Sequence, residues 1–316
     1  MSTVAVTSGL GALPSRFRRE RLLIVGYGDV GQRMARNLLT GPGAQRLRVL
    51  ALTSQAERVG SLRAQGVTPL VGNLDHAATL RRLSGLATRV VHLAPPPGEG
   101  GGGAAWWRDP RTVALARALR LRSLPVSLVY ASTSGVYGDC AGALVAETRT
   151  VAPGTPRAQR RVNAERAVRH LGRAGVRTSI LRIPGIYAPD REGGTPEARL
   201  RRGTPVLTAQ DDVYTNHIHA DDLARACLAS LWRGMPQRVY NVSDASAMKM
   251  GDYFDLAADL YRLPRPPRVP RSTAQDALPV MLLSFMSESR RLDNHRLLDE
   301  LGLRLRYPTV ATGLRA

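Results

Sequence analysis

The sequence predicts an α/β fold, a doubly wound parallel sheet with a small C-terminal substrate lobe. Two observations carry this expectation. Four aliphatic residues, Leu22-Leu23-Ile24-Val25, run without a gap into Gly26-Tyr27-Gly28-Asp29-Val30-Gly31, a G-x-G-x-x-G turn, and helix spacing follows at Met34, Ala35, Leu38 and Leu39. Strand-like and helix-like segments then alternate five times up to residue 131, which calls for parallel strands covered on both faces.

The first segment reads as the opening of a Rossmann-type dinucleotide-binding unit. Gly26 allows the turn, Gly28 lets the backbone approach a pyrophosphate, and Gly31 lets the helix pack against the strand. Tyr27, Asp29 and Val30 belong to the same cradle, and the phosphates lie on the positive helix N-terminus. The second strand, 47–52, ends at Thr53-Ser54-Gln55, with Arg58 beyond it. No carboxylate stands there for ribose hydroxyls, and Arg58 is placed to pair with a 2′-phosphate. NADP is therefore favoured over NAD, with NAD as the alternative. The bland reading of Arg58 is a solvated helix residue.

A helix over 55–65 leads to a third strand within 66–75, whose polar end brings Asn73 and Leu74 to the cofactor. A helix through Leu80 and Leu83 feeds the strand 89–94, where Ala94 and Pro95 are the next candidate contacts. His92, inside this apolar strand, reads as a satisfied core residue. The proline- and glycine-rich loop 95–103 is expected to be mobile, and Trp106 and Trp107 to pack at a helix start. A helix over 111–122 precedes the strand 126–131. That strand runs into Ser132-Thr133-Ser134-Gly135-Val136-Tyr137-Gly138-Asp139, with hydroxyls at the carboxyl end of a parallel strand, where such sheets bind ligands.

Here the chain resembles the extended short-chain dehydrogenase/reductases, the nucleotide-sugar epimerases and dehydratases. Residues 130–138 resemble that family's S-S-x-x-V-Y-G strand end, and 181–189 (LRIPGIYAP) its L-R-x-P-G-I-Y-G-P stretch. Residues 216–224 (NHIHADDLA) resemble I-H-V-D-D-L-A, and 239–243 (VYNVS) the Y-N-V/I strand, all in the family's order. The resemblance implies a dinucleotide-binding domain over 21–189, joined again by 217–243, with 190–216 and 244–316 forming the substrate lobe and 1–20 a loose arm. It implies that Thr133 meets the reacting oxygen and that Pro184, Gly185 and Ile186 lie beside the nicotinamide. It also implies a Tyr-x-x-x-Lys pair near 157 and 161, whose lysine lowers the tyrosine pKa for general-base work.

Those positions read Arg157 and Arg161, and Lys249 is the only lysine, so the chain has no Tyr-x-x-x-Lys at all. This, with GxGxxG in place of GxxGxxG, resembles the atypical YeeZ-like group, as do Glu300-Leu301-Gly302 and Tyr307-Pro308. Three readings stay open. Arg161 keeps the lysine's charge and its cofactor contact, though a guanidinium is a poor proton shuttle. Tyr137 or Tyr187 supplies the phenol from another element, against a packing role. In the third reading, the cofactor is bound without redox chemistry, which makes the chain an inactive NADP-binding regulatory or interaction protein.

Composition bounds the rest. With 316 residues, 43% hydrophobic and 22% charged, the chain can bury a large core, and no apolar run reaches a membrane span. The first 14 residues do not read as a signal peptide, and Cys140 and Cys227 alone give no disulfide framework, so a cytoplasmic setting is expected. The net charge of +20 is nearly all arginine, scattered through every segment without interleaved aromatics. It reads as a codon habit that favours an anionic small-molecule substrate such as a nucleotide sugar, and argues against a dedicated nucleic-acid partner.

In the substrate lobe, Arg199, Arg201 and Arg202 are candidates for a nucleotide diphosphate, with a solvated helix face slightly preferred. Arg290 is a second anion candidate, on a segment 287–291 read as opening the last helix. His217 and His219 alternate on a strand-like segment and are expected on opposite faces, which with the absence of other ligands at matching spacing argues against a metal. Asp221 and Asp222 read as caps of the helix 223–232. The residues 262–271 form a proline-arginine connector. The apolar segment 278–286 is a core, cleft or homodimer-seam candidate.

Overall fold

The computed structural model describes residues 20–41, 47–98, 105–278, 283 and 286–316. Most of the N-terminal arm, the glycine run 99–104 and much of the apolar segment 279–285 lie outside the described residues. The chain runs β1 (Glu20–Val25), α1 (Asp29–Thr40), β2 (Leu47–Thr53), α2 (Val59–Ala64), β3 (Thr68–Val71), β4 (Arg89–His92), α3 (Pro110–Leu119) and β5 (Ser127–Thr133). After β6 (Leu144–Val145) and α4 (Pro156–Arg173) come β7 (Arg177–Ile183), β8 (Gly185–Tyr187), α5 (Glu197–Arg201), β9 (Val206–Leu207), β10 (Tyr214–Thr215) and β11 (His217–His219). Then follow α6 (Ala220–Arg233), β12 (Arg238–Asn241), β13 (Met248–Lys249), α7 (Met250–Tyr261), β14 (Arg268–Val269) and β15 (Arg291–Leu292).

Seven strands form one sheet in the order β12-β7-β5-β4-β1-β2-β3, with every pairing parallel. Burial on both faces explains why β1 is a continuous apolar run: Leu22, Leu23, Ile24 and Val25 are fully buried. Their side chains feed two cores alternately. Leu22 and Ile24 pack with Met34, Leu223 and Cys227 on the α1 and α6 side, while Leu23 and Val25 pack with Leu115, Leu119 and Val168 on the α3 and α4 side. A smaller core of Tyr187, Leu200, Val206, Tyr253, Phe254 and Val310 joins α5 and α7.

Five local expectations need correction. The helix expected over 55–65 opens as a 3-10 turn, Ala56–Arg58, before α2, and the helix at Leu80 and Leu83 is also 3-10. Residues 287–291 do not open a helix. Ser289 O accepts from the Cys140 and Gly142 amides, Ser289 N donates to Asp139, and Arg291 then enters β15, parallel to β6. These long-range bonds claim the main-chain groups that a helix would need. Asp221 and Asp222 do not cap α6: the cap is the His219 ring, whose Nδ1 accepts from Asp221 N at 3.2 Å. Asp221 instead takes Arg33, and the fully buried Asp222 accepts the amides of Arg306 and Tyr307, tying down the C-terminal segment. Finally, His217 and His219 share a face, as residues two apart in a strand must, and both rings flank Tyr187 edge-on.

Candidate active site

The order β4-β1-β2 reverses the winding at β1, and the crevice outside the strands' carboxyl ends opens there. Three glycines shape it. Gly26 has φ +92°, and a Cβ on it would stand 2.4 Å from Ala94 N, so the turn after β1 lies directly on the end of β4. A Cβ on Gly28 would meet nothing within 4 Å, which leaves open space over the N-terminus of α1. On Gly31 it would come within 3.2 Å of Ile24 Cγ2, so helix and strand are in close contact. An open backbone over a twelve-residue helix N-terminus, with Ala94 directly against the Gly26 turn, fits a dinucleotide pyrophosphate.

The carboxyl end of β2 lies next to this turn. Thr53 is buried, its Oγ1 accepting from Gln55 N, while Ser54 is exposed. Arg58 Nη2 donates to Tyr27 O at 2.9 Å, which brings a guanidinium from the far side of β2 onto the glycine turn. At the end of β3, Asn73 Oδ1 accepts from Asp75 N and closes the turn through Leu74. Asp75 is clamped by Arg111, which also donates to Pro95 O.

Beyond the carboxyl ends of β5 and β7 lies a cavity of about 600 Å³. Thr133, Ser134 and Gly135 from the end of β5 and Pro184, Gly185 and Ile186 from the end of β7 form its floor, with Tyr187, Arg191, His217 and Tyr253 on one wall. Four arginines line it: Arg157, Arg191, Arg199 and Arg290. Among the described residues Glu288 is the single carboxylate in the lining, and it is paired with Arg290 at 2.8 Å. Thr133 Oγ1 accepts from Gly135 N, so the hydroxyl hydrogen stays available to a ligand. Arg199 lies over the Phe254 ring at 4.3 Å with Nε and Nη2 buried and unpartnered, and burial lowers its pKa. An arginine held in this way favours an anion at its free edge. Arg201 and Arg202 are exposed, Arg201 on Glu197, so the solvated reading holds for those two and not for Arg199.

The two tyrosines proposed as substitute bases are committed elsewhere. Tyr137 is buried and does not line the cavity. Its hydroxyl donates to Asn241 Oδ1 at 2.7 Å, and the Arg182 guanidinium lies 4.6 Å over its ring. Tyr187 reaches the cavity with its ring, but its hydroxyl bonds Asp244 Oδ2 and Thr309 O. Burial, and then the Asp244 charge, push its pKa up, the wrong direction for a base. Arg161 donates to Ala131 O at 2.5 Å and to the Tyr130 hydroxyl, so its charge rests on the end of β5. His92 is neutral in the core, its Nε2 2.8 Å from Thr112 Oγ1 and its pKa lowered to about 3 by burial and the nearby Arg161. Among the described residues no group of three or more His, Cys, Asp or Glu is placed to hold a metal ion. No helix among them is long and apolar enough to cross a membrane.

Sequence reasoning missed Arg191, Tyr253 and Glu288 as cavity residues. Each arrives from a loop or helix without a motif of its own, and no local signal marks it.

Comparison with known proteins agrees with this fold. Residues 22–243 match the NAD dependent epimerase/dehydratase family. A conserved protein of unknown function from Silicibacter pomeroyi is 30% identical, with 94% of this chain and 97% of that one covered and a TM-score of 0.72. The UDP-glucose 4-epimerase of Thermotoga maritima, solved with UDP-glucose, is 17% identical over 93% and 96% of the chains, with a TM-score of 0.74. The dTDP-glucose 4,6-dehydratase of Streptomyces venezuelae, solved with NAD, is 21% identical over 93% and 96%, with a TM-score of 0.73. None of the curated proteins matches the chain.

Proposed function

Because the chain belongs to the NAD dependent epimerase/dehydratase family, we propose that it is an NADP-preferring oxidoreductase or epimerase-like enzyme acting on an anionic, nucleotide-sugar-type substrate through a non-standard site. The observation that carries this reading is a cavity lined by four arginines, one of which, Arg191, is paired with Asp29 at the start of α1, directly after the glycine turn. Gly26, Gly28 and Gly31 would hold the pyrophosphate. Thr53, Ser54 and Arg58 would hold the phosphorylated ribose, and Pro184 to Ile186 would face the nicotinamide. The bound dinucleotide supplies a hydride donor or acceptor. The chain supplies the rest: Thr133 donates a hydrogen bond to the reacting oxygen, and Arg157, at the position of the family's tyrosine, places a permanent positive charge beside it. Arg199 and Arg290 bind the substrate's anionic group.

A titration of NADPH and NADH tests the cofactor part. A guanidinium paired with a phosphate contributes about 1.5–3 kcal/mol, so Arg58→Ala should weaken NADPH roughly ten- to 150-fold and NADH far less. Equal weakening of both removes the 2′-phosphate assignment.

The second reading, a regulator that binds the dinucleotide without turning over, is favoured by one observation. Both positions of the family's Tyr-Lys pair are arginine, and Arg161 is bonded to the β5 backbone. Substrate-dependent oxidation of NADPH with any member of a nucleotide-sugar panel would dismiss it.

A further inference from the structure

The N-terminus of α1, where the pyrophosphate is expected, carries an unusual density of charge. Arg33 is almost fully buried and binds three carboxylates: Asp29 at 3.0 Å, Asp190 at 2.6 Å and Asp221 at 2.6 Å. Burial opposes its charge, and the hydrogen bonds of Asp190 and Asp221 outweigh that, so the guanidinium is held above its ordinary pKa. Arg33 is saturated and fixed. Asp29, the first residue of α1, has its second oxygen on Arg191 Nη1 at 2.7 Å, and both partners of this pair remain about 30% exposed. Arg191 also lines the substrate cavity.

Two guanidinium groups therefore face three carboxylates, and the cluster is left one unit negative beside the ground where a dinucleotide must place two negative charges. Arg33 has no freedom to compensate. Arg191 does, because it is about 30% exposed, spends one nitrogen on Asp29, and projects from a loop whose backbone is already fixed. That loop is closed by Arg191 N on Ala188 O, Gly194 N on Arg191 O and Ala188 N on Gly194 O. It is docked on α1 through Asp190 and Arg33, independently of the Arg191 side chain.

We propose that Arg191 is a shared cation that leaves Asp29 for the dinucleotide pyrophosphate when the cofactor binds, so that cofactor occupancy re-forms one wall of the substrate cavity. This rests on the dinucleotide reading given above and adds a residue and an order of events to it. The side chain moves by rotamer changes alone, and the loop stays on Arg33. The cavity then holds the substrate after the cofactor, because the arginine that closes the wall between the two sites is positioned by the first ligand.

Two variants break the same ion pair and separate this role from a structural one. Arg191→Gln removes the cation, and Asp29→Asn removes its resting partner. Binding of NADH and of ADP-ribose, which shares the pyrophosphate and lacks the nicotinamide, is followed by calorimetry, with thermal unfolding as the fold control. Arg191→Gln should weaken both ligands by about tenfold or more, while Asp29→Asn, which releases Arg191 and removes one negative charge beside the pyrophosphate, tightens both, and an Asp29→Asn protein with no gain overturns the proposal. Equal losses in both variants mean that the ion pair only braces the loop, and overturn the proposal. So does a loss for NADH with ADP-ribose unchanged, which puts Arg191 at the nicotinamide. Unchanged binding in Arg191→Gln refutes it outright. If the wild-type protein binds neither ligand, the dinucleotide reading itself falls and the proposal with it, an outcome distinct from the others.

Discussion

Gly28→Ala separates folding from binding more cleanly than any other single change in the crevice. Its φ is −94°, a value alanine adopts, and the new Cβ meets no protein atom within 4 Å. Substituting glycine at a compatible position stabilises by roughly 0.4–1 kcal/mol through the unfolded chain, so the melting temperature should hold or rise by about 1–2 °C. The same methyl stands where the pyrophosphate must approach. Forcing one carbon into a filled space costs about 1–3 kcal/mol, which is roughly a five- to 150-fold loss of NADPH affinity. Gly26→Ala is the contrasting control. Its φ of +92° costs an alanine about 1–2 kcal/mol, and the contact with Ala94 N forces a backbone shift costing a further ~1–3 kcal/mol. That variant should lose about 3–8 °C before binding is considered. Thermal unfolding and cofactor fluorescence, measured on the same preparations, check both. A Gly28→Ala protein that binds NADPH as the wild type does would refute the placement of the phosphates. One that melts well below the wild type would refute the claim that the space over α1 is empty.

Two further outcomes follow from buried charge. Glu165 and Arg182 form a buried bidentate pair, with Ser132 donating to Glu165 at 2.7 Å. Arg182→Met should cost about 3–5 kcal/mol in urea unfolding, and adding Glu165→Met should recover most of it. A double variant no more stable than the single would show that the arginine acts through packing on Tyr137 instead. Asp244 is buried and its pKa is pushed up to about 7 by burial, against an opposing hydrogen bond from Ser246. Its folded pKa lies above its unfolded one, so it contributes stability that is present below about pH 4 and lost as pH rises to about 7. Asp244→Asn should remove that loss, making the wild-type-minus-variant stability fall by about 2–4 kcal/mol between pH 4 and 7.5. A flat difference curve refutes the shift.

What the sequence made legible was local. β1 with its glycine turn, the hydroxyl-rich end of β5 and the Pro184 to Tyr187 stretch each carry their signal within about ten residues, because strand burial and turn geometry are short-range demands. Arg191 and Asp29 are 162 residues apart, and Arg33 and Asp221 are 188 apart. No periodicity encodes such meetings. The fate of residues 287–291 was hidden for the same reason, since their backbone bonds to the loop after β5 override a serine-glutamate pattern that resembles a helix start. Tyr137 misled differently. Its position four residues after Thr133 suggested chemistry, while its partner Asn241 lay a hundred residues on and gave it a purely structural bond.

The near-complete use of arginine in place of lysine, with Lys249 the single exception, has a consequence for how a ligand of this chain would be recognised. A cavity lined by lysines would lose field strength as ammonium groups approach their ordinary titration range, near pH 10. Guanidinium groups as a class hold their protons beyond it, and the lining that Arg157, Arg191, Arg199 and Arg290 share holds one carboxylate among the described residues, Glu288. From the end of the carboxylate range upward, the potential in the cavity is in effect a constant. A pH profile of binding there would report the ionisation of the ligand alone. A curve rising near pH 6 would mark the second proton of a phosphate monoester, and one flat from pH 5 to 9 a phosphodiester, a diphosphate bridge or a carboxylate.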